Sequence, residues 1–118
     1  MALSYAAGDD LVFQMESGFG LMRVLASEGE GREAVWHVLV FYEFYPDVES
    51  AEAALAAGRA LDVREPHLAL TEHAFEKTPA ARLANRPVSA DELEAVERWR
   101  REGGRVHDRS LLLMLGMR

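Results

Sequence analysis

The chain has 118 residues, of which 49% are apolar and 28% charged, the proportions of one soluble globular domain. It has no cysteine, which excludes a disulfide scaffold, a thiolate zinc site, an iron–sulfur cluster and a cysteine nucleophile. A formal net charge of −7 argues against nucleic acid or an anionic membrane as partner, because phosphate recognition needs a cationic footprint.

The charge is uneven. Residues 1–78 carry 14 acidic and 5 basic side chains, whereas residues 79–118 carry 6 and 8. The acidic portion suits a basic partner as well as simple solubility. Lys77 is the only lysine, a bias that has the look of a GC-rich genome. Met1-Ala2-Leu3-Ser4-Tyr5 lacks a basic segment followed by an apolar run, so no signal peptide is expected. No window reaches the ~18 apolar residues of a membrane span. A cytoplasmic protein is the expectation.

Asp10–Glu16 alternates, with Leu11, Phe13 and Met15 on one face and a mostly polar other face, which predicts a half-buried strand. Ser17-Gly18 supplies a tight turn, and Phe19–Ala26 a second strand. Gly20 inside it marks a bulge or a close backbone approach. After the polar loop Ser27–Arg32, Ala34–Phe44 is almost continuously apolar, as expected of a central strand covered on both faces. Asp47 caps a helix over Val48–Ala57, with Gly58 at its end.

Ala60–Arg64 and His67–Leu70 read as two short strands parted by Pro66. Thr71 caps a turn over Glu72–Lys77, and Thr78-Pro79 starts another over Pro79–Ala84. Ser89-Ala90-Asp91-Glu92 is a capping box opening a helix to Glu102, with Leu93, Val96 and Trp99 as its buried stripe. In the tail Val106–Arg118, Leu111–Leu115 reads as a strand. The fold class is α+β: a small antiparallel sheet or partial SH3-like barrel, with one or two helices packed on one side or end.

The candidates for chemistry are sparse. His67 and His73 are six apart and fit neither His-Glu-x-x-His nor a zinc-finger spacing. A site assembled from His37 with His67 or His73 and Glu43 stays open beside a core role for His37. No serine lies in a Gly-x-Ser-x-Gly elbow, and no phosphate loop is present. Glu43 and Asp47, at the end of the long strand, form the best-placed carboxylate pair. Aromatic neighbours would raise the Glu43 pKa toward general-acid use. Arg98, Arg100, Arg101, Arg105 and Arg109 cluster around Trp99, but Glu94, Glu97 and Glu102 stand at pairing distance along the helix.

The densest signal is Phe41-Tyr42-Glu43-Phe44-Tyr45. Alternation puts Tyr42 and Phe44 on one face and Phe41 and Tyr45 on the other. One pair can be core; the other needs a helix, a ligand or another chain as cover.

The stretch Gly8-Asp9-Asp10-Leu11-Val12-Phe13-Gln14-Met15-Glu16-Ser17-Gly18-Phe19-Gly20-Leu21-Met22-Arg23-Val24-Leu25 resembles the start of the immunity-protein 26 group. Those proteins open with a Gly-Asp turn, an alternating strand, a glycine-bearing hairpin and an Arg-Val-Leu strand. The resemblance implies a binder that neutralises a bacterial toxin without being an enzyme. From the aromatic run itself, with no residue carried over from the resemblance, the expectation is a non-enzymatic module with no cofactor or metal, binding through Phe41, Tyr42, Glu43, Phe44 and Tyr45. Its partner is a basic or apolar protein, a toxin or a second copy of the chain. The alternative is a small acid–base hydrolase or nuclease-like enzyme using Glu43, Asp47 and a histidine.

Overall fold

A computed structural model describes residues 5–116; the opening segment read for a signal, Met1–Ser4, and Met117–Arg118 of the tail lie outside the described residues. The chain begins with a hairpin of β1 (Asp9–Met15) and β2 (Gly18–Glu28). Gly18, at φ +156°, lies where a Cβ would stand 2.7 Å from the Tyr45 carbonyl oxygen. A Cβ at Gly20 would stand 2.4 Å from the Phe13 ring, so the missing side chain lets that ring cross the ladder. A 3-10 turn at Gly31–Glu33 leads into β3 (Val35–Tyr45). Helix α1 (Val48–Ala56) follows, with the Asp47 carboxylate accepting from the Ser50 amide at 2.7 Å.

Next come β4 (Val63–Thr71), α2 (Glu72–Glu76), β5 (Ala80–Asn85), α3 (Ala90–Arg101) and α4 (Leu111–Met114). Both halves of the predicted capping box form at the start of α3. All strands pair antiparallel in one open sheet, in the order β4-β3-β2-β1-β5. The α+β class is as expected from the sequence.

Helices cover both faces, not one side or end. On one face Leu11, Phe13, Met22, Val24, Trp36, Val38 and Val40 pack with Phe75 of α2 and Leu111 and Leu115 around α4. On the other, Val12, Leu21, Leu25, Leu39 and Phe41 pack with Ala51 of α1 and Val96 of α3. This double cover explains one correction: strand β1 is buried on both faces, including Asp10 and Val12, rather than half-buried. Strand β3 is interior and covered on both faces along Trp36–Phe41, as expected, although the middle strand of the five is β2.

Three further elements differ from expectation. The segment Pro79–Ala84, expected as a helical turn, instead runs into β5 (Ala80–Asn85). The Thr78 hydroxyl is buried without a hydrogen-bond partner, so it caps nothing, and pairing with the open edge of β1 takes the segment instead. Pro66 does not divide two strands: it sits inside β4, an edge strand, where a missing amide hydrogen is tolerated and the register with β3 skips. Leu111–Leu115 is not a strand. The Ser110 hydroxyl accepts from the Leu113 amide and starts α4, whose Leu111 and Leu115, four apart, turn to the core. Among the described residues of the tail, only His107 joins the sheet, as a parallel bridge to Leu70.

Candidate functional site

The end of β3 is where the sheet runs out of partners. The Tyr42 amide donates to the Asp62 carbonyl at 2.8 Å, and β4 pairs no further along the strand. Phe44 and Tyr45 remain paired with Gly20 and Phe19 of β2. Phe41 is buried and Tyr45 half-buried, both in the core beneath α1 and α3. Tyr42 is 61% exposed and Phe44 47% exposed. The predicted alternation is thus present, and the covered pair is Phe41 and Tyr45. Tyr42 and Phe44 face outward beyond the reach of α2 and α4.

Glu43 is exposed, and it points with Tyr45 into a small cleft beside α1, lined also by Arg59, Leu61 and Asp62. Partial burial, then the Glu43 charge, raises the Tyr45 phenol above its usual range. The Asp47 side chain is taken up by Ser50, whose hydrogen bond holds the carboxyl below its usual range.

Two histidines do meet, but not beside Glu43. His37 Nδ1 lies 2.8 Å from His67 Nε2, and the rings stack at 5.1 Å with 17° between planes. His37 is fully buried and His67 half-buried, with the Trp99 ring edge-on to His37 at 4.8 Å. The Glu28 carboxylate stands 3.4 Å from His37 Nε2, within ion-pair distance but without hydrogen-bond alignment. Glu28 is held from the other side by Arg100 at 2.7 Å, and Arg100 also pairs with Glu97.

These neighbours decide the tautomers. A proton on His37 Nε2 faces the Glu28 carboxylate, whereas a bare lone pair there would oppose it. His37 Nδ1 therefore accepts from His67 Nε2–H, and His67 Nδ1 is left as the outer acceptor. Burial lowers the His37 pKa despite Glu28. Burial, then the neighbouring His37, pushes His67 down to about 4. Partial burial works to raise Glu28, but the Arg100 guanidinium and His37 together hold the carboxyl below its usual range. Both rings are neutral near pH 7. Glu43 lies six residues along β3 from His37, roughly 20 Å in an extended strand.

No family model, curated protein or solved structure matches the chain. Among the described residues no three His, Asp or Glu side chains are placed to hold a metal ion.

One polar centre has no counterpart in the sequence reading. Arg23, 2% exposed, bonds the Glu92 carboxylate through Nε at 2.7 Å, the Gly8 carbonyl at 2.9 Å, and the Arg86 and Pro87 carbonyls at 3.0 and 2.9 Å. Asp10, fully buried, lies 3.4 Å from Arg23 and is gripped by Arg86 through Nε at 2.7 Å and Nη2 at 3.0 Å. Asp10 stands opposite Arg23 in the β1–β2 register. That cross-strand pair of opposite charges was the available signal. The α3 arginines are also engaged: Arg98 and Arg101 approach Glu94 at 3.9 and 3.5 Å, and Arg100 joins Glu28 and Glu97.

Proposed function

We propose that the protein is a cytoplasmic binding module without catalytic activity, taking a basic protein partner on the exposed aromatic end of β3. The observation that carries this reading is the pair Tyr42 and Phe44, uncovered on a sheet face that α2 and α4 close elsewhere. Large aromatics desolvated at a contact supply much of its free energy. The acidic charge of residues 1–78 would speed encounter with a cationic surface. Among the described residues no helix is long and apolar enough to cross a membrane. The resemblance of residues 8–25 to the immunity-protein 26 group supports a bacterial toxin as the class of partner. The acid–base alternative loses ground because Asp47 is spent as a helix cap and the two paired histidines lie with Glu28.

The test captures partners from bacterial lysate with the wild-type protein and with a Tyr42→Ser, Phe44→Ser variant. Each captured protein is then purified and titrated against both. The expected result is a basic protein whose affinity falls about tenfold or more in the variant, while the variant keeps its melting temperature. Equal affinity in the two proteins would overturn the assignment. Recovery of only a second copy of the chain would replace the foreign partner with a homodimer.

A further inference from the structure

Helices α1 and α3 pack on the same face of the sheet, and a cleft of about 240 Å³ lies between Leu55 of α1 and Glu92 of α3. Its floor is Leu39 and Phe41 of β3, and one wall is Leu55, Leu61 and Val63. Val63 is 45% exposed, an apolar side chain left open at the mouth. Arg86 and Glu92 line it as well, and so does the exposed Arg59.

The polar groups are unequal in what they offer. Glu92 already accepts two bonds from Arg23, at 2.7 and 3.3 Å, and one from the Ser89 amide at 2.9 Å. Arg86 spends Nε and Nη2 on Asp10, which leaves Nη1 unused on a side chain 51% exposed. Arg59 is exposed, and its side chain makes no hydrogen bond or ion pair with the described residues. The four charges of Asp10, Arg23, Arg86 and Glu92 cancel, and Arg59, which also borders the adjoining lobe with Glu43 and Asp62, is left to meet an anion at this one. An apolar floor beneath two open guanidinium groups complements an anion with an apolar tail.

We propose that this cleft binds a small monocarboxylate, its oxygens at Arg59 and Arg86 and its apolar chain on Leu39, Phe41 and Val63. A cleft of about 240 Å³ has room for a small acid, of which a six-carbon chain is a suitable probe. The adjoining lobe of about 170 Å³ is lined by Glu43 and Asp62, which repel a second carboxylate. The site therefore selects against diacids. It lies on the sheet face opposite Tyr42 and Phe44, so its failure would leave the protein-binding reading untouched.

Hexanoate, 1-hexanol and adipate are titrated into ¹⁵N-labelled protein at pH 7 and followed by amide chemical shifts. Hexanoate is expected to give saturable shifts confined to Leu39–Phe41, Leu55–Val63 and Arg86–Glu92. It should bind about fivefold or more tighter than hexanol or adipate, because the guanidinium contacts are charge-assisted. The exposed Arg59→Gln variant should fold normally and bind hexanoate no better than hexanol. Absent saturation, shifts centred elsewhere, hexanol or adipate binding as well as hexanoate, or unchanged hexanoate affinity in Arg59→Gln would each overturn the proposal.

Discussion

Arg23 shows how a single side chain can tie distant parts of the chain together. It rises from the middle strand, meets Asp10 across the ladder, and reaches the Arg86–Pro87 turn and the first turn of α3. A guanidinium has five N–H groups in a fixed fork, and this one is satisfied by two carbonyls of that turn, the Gly8 carbonyl and two carboxylates. Removing it strands the buried Asp10 and the partly buried Glu92 without their shared cation. Arg23→Met is expected to lose about 3–5 kcal/mol in urea unfolding, the usual result of breaking one side of a buried pair. Arg23→Lys should recover little of this, because one ammonium cannot span the same acceptors.

Among the elements, α3 depends most on its first turn. Ser89 accepts from the Glu92 amide at 3.1 Å, and Glu92 returns a bond from the Ser89 amide at 2.9 Å. The same Glu92 carboxylate anchors Arg23, so the cap and the strand network share a group. Partial burial works to raise Glu92, but Arg23 and the Ser89 bonds prevail and keep it ionised. Ser89→Ala should cost about 1 kcal/mol in unfolding free energy, read by circular dichroism during chemical denaturation. The loss should shrink in an Arg23→Met background, since the helix start is then no longer tied to the strand; equal loss in both would refute that coupling.

At the scale of the whole molecule, the His37–His67 pair is a packing joint where β2, β3, β4 and α3 converge through Glu28, His37, His67 and Trp99. Its folded pKa values lie below the ordinary 6.5, with His67 near 4. Between those values the unfolded chain binds more protons than the folded one, so stability falls as pH drops from about 6.5 toward 4. Glu28, Arg100 and Glu97 are the charged groups linked to the pair, and Glu28 remains ionised through most of that window. With allowance for solvent at the half-buried ring, the loss is on the order of 1–2 kcal/mol. Melting temperatures measured between pH 7.5 and 5 should decline in the wild type and decline less in His67→Gln. The upper part of the window lies above the carboxylate range, so the difference isolates the imidazoles. Parallel pH profiles for the two proteins would show that the pair does not carry the effect.

What the residues determined by themselves is local. The Asp47 cap, the Ser89–Glu92 box, the Thr71 cap and the Gly58 helix end are read correctly because each is closed within four residues of backbone. The face assignment at Phe41–Tyr45 is legible for the same reason, since strand side chains alternate whatever the partner. Whether each face is covered is not. Tertiary packing placed α1 over Phe41 and Tyr45 and left Tyr42 and Phe44 open. It drew Ala80–Ala84 into the ladder of β1 against the turn signal of Thr78-Pro79, and it folded Leu111–Met114 as a helix with Leu111 and Leu115 in the core shared with Trp36 and Val40. The histidine pair joins residues 30 apart and Arg23 reaches Glu92 69 residues on, so no local pattern announces these contacts; only the Asp10–Arg23 pair across the first hairpin was legible. Hydrogen-bond ladders and buried charge are satisfied across the chain, and only the assembled sheet sets those distances.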